Sequence, residues 1–220
     1  MSDKYDFKKE YRQLYQTKTD PVVIQVPPRK YLCVDGFGDP NTSREYQDAV
    51  ALLYGITYTI KMSRTEAPAQ GYFDYVAPPL EGFWDIDIDG KGFDGHRITD
   101  KERFAWTSFM AVPDYVTPQV LKWAAEKLRT KKPGLNPSAV RLETFEEGLC
   151  VQCMHVGTYD SEPETIRRMN EFLEQEGYET DITPQRRHHE IYLGDPRKQA
   201  PEKRKTIIRH PIKRKAVPVE

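Results

Sequence analysis

Two stretches of the chain, YLCVDGFGDPNTS (31–43) and VQCMHVGTYDS (151–161), follow one plan. Each opens as a mostly apolar strand-like run, reaches a glycine–aspartate turn, and arrives at a serine that can begin a helix. After Ser43, the residues Tyr46, Val50, Leu53, Thr57 and Ile60 recur at helical spacing, which predicts a helix from Arg44 to about Ser63. After Ser161, Ile166, Met169, Phe172 and Leu173 do the same from about Glu162 to Glu176, and Gly177 stands at the C′ position. Strands follow each helix: YFDYV (72–76), GFWDIDI (82–88) and RFAWTSFMAV (103–112) in the first half, HHEIYL (188–193) and TIIRHPI (206–212) in the second. Two copies of strand–helix–strand–strand predict an α+β domain of tandem βαββ units about a pseudo-twofold axis. One antiparallel sheet would carry helices on one face and leave the other for a ligand cleft.

The remaining segments fit around that repeat. VVIQV (22–26) and VRLETF (140–145) read as further strands, and LCVQCMHV (149–156) as the full extent of the second repeat's first strand. Thr117-Pro118 starts a helix carrying Val120, Leu121, Trp123, Ala124 and Leu128, ended by KKPG. Residues 1–20 read as a short charged helical extension closed by Asp20-Pro21, ahead of a domain spanning 21–215. DGKGFDGHRITD (89–100) is turn chemistry.

Composition excludes several classes. Of 220 residues, 38% are hydrophobic and 30% charged, and no apolar run approaches the roughly 18 residues a membrane span needs. The charged N-terminus lacks the apolar core of a secretory signal. Three cysteines are too few for a disulfide scaffold, so the expected setting is a reducing cytoplasm. Cys150 and Cys153 lie in one strand facing opposite sides, and no metal-spaced histidines accompany them; no metal is expected. No glycine-rich phosphate loop or dinucleotide motif is present, so no cofactor is expected. The formal net charge is -1, yet residues 196–220 carry nine Lys and Arg against two acids. TIIRHPI within that run reads as a strand, so a solvated edge is favoured over a nucleic-acid arm, and DNA binding is not expected. A monomer or weak dimer is expected because the fold closes within the chain.

The chain has 13 Tyr, 9 Phe and 3 Trp, enough aromatic surface to line a pocket. Strand alternation puts Phe104, Trp106, Ser108 and Met110 on one face, and His188, Glu190 and Tyr192 on one face of their own strand. Glu190 alone could be an exposed strand residue; beside Trp106 and Met110 it reads as the acid of an aromatic cavity. Trp84 belongs to the pocket wall or to the core. His155 is an acid–base group or a satisfied core histidine, and Tyr159 reaches over a pocket mouth or merely packs.

With these residues in view, the chain resembles the stand-alone GyrI-like small-molecule-binding family. The matching stretches are YLCVDGFGDPN (31–41), YGITYTIK (54–61), DYVAPPLEGFW (74–84), WTSFMAVPDYVT (106–117), RLETFEEGLCVQCMHVGTYDSEPETI (141–166), HHEIYLGDPRK (188–198) and KTIIRHPI (205–212). The resemblance implies two βαββ units and an aromatic cleft with a central glutamate, at the position of Glu190. Some members similar to this chain hydrolyse cyclopropane-containing, DNA-alkylating toxins; others bind hydrophobic, often cationic compounds. Only about 30 residues precede the match, too few for the DNA-binding domain of the related regulators.

The expectation is therefore a detoxifying hydrolase, or alternatively a multidrug-type protein that sequesters small aromatic ligands. In the first case Glu190 would orient and deprotonate water, and a tyrosine among Tyr75, Tyr159 and Tyr192 would donate to the developing oxyanion. Trp84, Trp106, Phe104, Met110, His155 and Tyr159 would line the ligand site.

Overall fold

The structure, a computed structural model, describes residues 4–64, 70–85, 101–195 and 198–216. The turn segment 89–100 and residues 86–88 of the second predicted strand lie outside them. In chain order the elements are β1 (Tyr5–Asp6), α1 (Phe7–Glu10), α2 (Arg12–Tyr15), β2 (Val22–Val26), β3 (Arg29–Phe37) and α3 (Arg44–Lys61). Then come β4 (Tyr75–Val76), β5 (Leu80–Asp85), β6 (Ala105–Ala111), α4 (Pro118–Lys131), β7 (Arg141–Phe145) and β8 (Gly148–Val156). The last are α5 (Glu162–Glu176), β9 (Tyr178–Thr180), β10 (His188–Tyr192) and β11 (Lys205–Arg214).

The strand order β2-β8-β11-β10-β5-β6-β3-β7, with β9 added to the end of β11, makes one antiparallel sheet. The two predicted units are visible as β3-α3-β5-β6 and β8-α5-β10-β11. Their first strands lie outward and their third-listed elements, β5 and β10, meet at the centre, which is the pseudo-twofold arrangement. α3 begins where Ser43 accepts from the Tyr46 amide, and buries Ala49, Leu52, Leu53, Ile56 and Ile60 against β3 and β6. α5 buries Met169 and Leu173 with Val151, Cys153, Ile208 and Ile212, and ends at Gly177 in the left-handed conformation (φ 73°). No helix among the described residues is long and apolar enough to cross a membrane.

Both helices lie on one face of the sheet, as the repeat predicts. The residues collected for the cleft lie on that same face, not on the opposite one. Met110 accepts a bond from Thr57 of α3, Tyr46 of α3 packs on Trp84 and Trp106, and His155 bonds Thr165 of α5. These side chains therefore sit under α3 and α5. Period-two alternation tells which side chains share a face; it does not tell which face the helices choose.

Part of the face opposite α3 and α5 is covered from the N-terminus. Residues 4–20 do not form one helix. β1 pairs in parallel with β4, and two four-residue helices follow. Phe7, Leu14 and Tyr15 are buried, Tyr15 donates to Glu81 Oε1 (2.7 Å), and Arg209 donates to the Leu14 carbonyl (3.0 Å). Helices this short have no stability of their own, and docking on the sheet decides their shape. The predicted strand 72–76 likewise shrinks to β4.

Candidate functional site

Glu190 sits in the middle of β10, flanked by Gly82 of β5 and Ile208 of β11. A Cβ at Gly82 would stand 3.0 Å from Trp84 Nε1 and 3.5 Å from the Tyr192 hydroxyl. Its absence lets those two groups meet above the strand, where the indole N–H donates to the phenol oxygen (2.9 Å). The Tyr192 hydroxyl in turn donates to Glu190 Oε2 (2.8 Å). His188 Nε2 lies 3.0 Å from Glu190 Oε1, and His188 Nδ1 lies 2.7 Å from Nε2 of His210 on β11. A second glycine performs the same service for Trp106: a Cβ at Gly36 would fall 2.1 Å from the indole ring, so the ring lies directly on the backbone of β3.

Each helix delivers one side chain from its first turn. Glu162 opens α5 and is hydrogen-bonded to Glu190. Tyr46 of α3 packs edge-on against Trp106 (centroids 5.0 Å) and tilted against Trp84 (5.9 Å). Phe104 meets Trp84 at 5.5 Å, and Tyr159 meets Tyr192 at 6.2 Å. The result is a hydrogen-bonded chain of acids and imidazoles inside an aromatic enclosure. The Glu190 side chain keeps only 13% of its exposure and His188 7%.

Burial, the charge of Glu190 and the bond to it all push the Glu162 carboxyl well above the usual carboxylate range. A carboxyl held in this way keeps its proton, which stays on Glu162. Glu162 Oε1 has no hydrogen-bond partner and neither has Trp106 Nε1. Burial and then Glu190 raise the Tyr192 and Tyr46 phenols, and raise Tyr159 to about 12, so all three remain donors. Burial and His188 hold His210 well below the ordinary imidazole range, hence neutral. One ligand atom each of Glu162, His188 and Glu190 lies within 4.8 Å of the others, the one group of metal-ligand type among the described residues. Tyr192 donates to one Glu190 oxygen and His188 Nε2 stands beside the other, so hydrogen-bonding groups run unbroken from Tyr192 through Glu190 and His188 to His210.

Of the residues singled out from sequence, Glu190, Tyr192, Trp84, Trp106, Phe104 and Tyr159 come together here. Tyr75 does not: it lies buried under α3, its hydroxyl on the Thr57 carbonyl (3.1 Å). Met110 is packed beneath the same helix, and His155 is satisfied by Thr165 Oγ1 and the Thr158 carbonyl, both at 2.9 Å. Sequence reasoning missed Glu162, His210 and Tyr46 as site members. The signal for Glu162 was available: it opens the repeat's second helix, where the first turn of the first helix carries Tyr46.

Residues 19–213 match the model of the GyrI-like small molecule binding domain. The chain belongs to this GyrI-like family. A hydrolase from Listeria innocua is 48% identical over 96% of this chain and 100% of its own, with a TM-score of 0.86. An uncharacterized conserved protein from the same organism is 51% identical over the same shares, with a TM-score of 0.88. No curated protein matches the chain.

Proposed function

We propose that this GyrI-like chain hydrolyses cyclopropane-containing, DNA-alkylating toxins, and that the Glu162–Glu190 pair is the acid–base machinery. The observation that carries this reading is a buried carboxyl–carboxylate pair with one free oxygen, enclosed by flat aromatic side chains. The likeness to a hydrolase of nearly half-identical sequence supports it.

The chemistry balances on the residues present. A planar toxin stacks on Trp84 and Trp106. Glu190 takes a proton from water as the water oxygen bonds to the ring carbon. The cyclopropane C–C bond breaks, its electron pair moves into the conjugated dienone, and a phenolate forms. Glu162, the neutral partner, gives its one proton to that oxygen. Glu190 then returns the acquired proton to Glu162 along their hydrogen bond, and the cycle closes with one water added. His188, held by His210, keeps the Glu190 carboxylate oriented, and Tyr192, anchored by Trp84, does the same for its other oxygen.

A catalytic amount of protein is incubated with excess cyclopropane–dienone alkylator, and the ring-opened product is followed by mass spectrometry. Many turnovers are expected, with a loss of about 10²-fold or more in Glu190→Gln and in Glu162→Gln. One equivalent retained unchanged would instead mean a sequestering protein whose acid pairs with a cationic ligand.

A further inference from the structure

The face opposite α3 and α5 carries a cavity of about 450 Å³, large enough for a one- or two-ring molecule. Asp35 of β3, Phe83 of β5, Arg141 and Phe145 of β7, and Arg187 just ahead of β10 are among its walls. Phe83 and Glu190 project to opposite faces, because Phe83 pairs with His189 and Gly82 with Glu190. The cavity is thus separated from the Glu190 cluster by the sheet itself.

The charges around it are almost all committed. Asp35 accepts from Thr107 (2.7 Å) and pairs with Arg141 (2.6 Å), which also pairs with Glu143 (2.7 Å). Arg186 is held by Asp181 (2.5 Å) and by the carbonyls of Glu147 and Leu149. Glu147 is taken by His189 and Arg209. Glu146, at the exposed rim, meets Gln25 at 3.5 Å. Arg187 is the exception. Among the described residues it makes no hydrogen bond and no ion pair; its guanidinium lies 4.9 Å from the Phe83 ring centroid, half-buried. Burial pulls its pKa down although Asp35 and Asp85 pull the other way from a distance. Phe145 stands beside Phe83, centroids 5.3 Å apart, and completes an aromatic wall.

A guanidinium stacked on a ring keeps its N–H edge free, and that edge matches a carboxylate in two parallel bonds. We infer that this cavity is a second ligand site, which takes a small planar aromatic carboxylate. Its carboxylate engages the edge of Arg187 and its ring lies against Phe83 and Phe145. The apolar wall supplies affinity, and the uncommitted cation supplies the choice of charge.

The test is calorimetric titration of the full chain with 2-naphthoate, beside its neutral isostere 2-naphthamide and beside inorganic phosphate. Saturable 2-naphthoate binding is expected, weakened about tenfold or more in Arg187→Gln with the melting temperature unchanged. The amide is expected to bind at least as weakly as naphthoate does to that variant. Glu190→Gln is expected to bind naphthoate as the parent chain does. No saturable binding, equal binding of acid and amide, or full affinity in Arg187→Gln would overturn the proposal. Displacement by phosphate at equal concentration would overturn the aromatic assignment, and loss of binding in Glu190→Gln would move the ligand to the other face.

Discussion

Glu162 is protonated because burial and the neighbouring Glu190 charge oppose its ionisation. In the unfolded chain it ionises like any glutamate. Its folded pKa is raised, so the stability tied to its proton is present below the unfolded value and lost as pH rises through the folded one. Glutamine keeps the neutral form at every pH. Glu162→Gln is therefore expected to melt above the parent chain at pH 8 and level with it near pH 4. The gap is about 2–4 °C, the shift that 1 kcal/mol makes in a chain of this size. A variant that melts lower at both pH values would show that the proton is not where the geometry puts it.

At the scale of elements, the other face of the same strands has charges of the opposite sense. Burial would raise Glu147, but His189 of β10 and Arg209 of β11 outweigh it and hold its pKa at about 2. The folded pKa is depressed, so this contribution is complete above the unfolded value near 4.5 and disappears as pH falls toward 2. Glu147→Ala leaves Arg209 buried without its acid and His189 with Glu81 alone, and is expected to cost about 3–5 kcal/mol by denaturant unfolding at pH 7. It should also flatten the acid limb of the stability profile. These strands show how far the sequence could be read. The two units, the helix caps at Ser43 and Thr117 and the grouping of His188, Glu190 and Tyr192 follow from local spacing. The side taken by the helices does not, because Ile191 is buried equally well by a helix or by the N-terminal segment. Tyr75 and His155 show the same gap: residue type proposes a role, and only packing shows that their polar atoms already have partners.

Considered whole, the chain ties its beginning to its centre. Tyr15 donates to Glu81 and accepts from Arg29 (2.8 Å), and the Gln152 amide donates to the Gln13 carbonyl (2.6 Å). Tyr15→Phe removes the donor facing a fully buried carboxylate, at a cost of about 1–3 kcal/mol. Amide hydrogen exchange is the measurement to make. Faster exchange is expected in residues 4–15 and along β5, with α5 unchanged. Uniform acceleration across both units would show instead that the segment is part of the global unfolding unit.

The position of β11 matters before the molecule is finished. It is the last of the described strands in sequence, yet it lies between β8 and β10. A nascent chain that has left the ribosome only as far as Tyr192 has made both neighbours and has nothing to put between them. Two strand edges stay open until residues 205–214 arrive, and such edges recruit other copies. The sheet cannot be built in the order in which it is translated, so a pause in synthesis between β10 and β11 is the moment at which this protein is most exposed to aggregation.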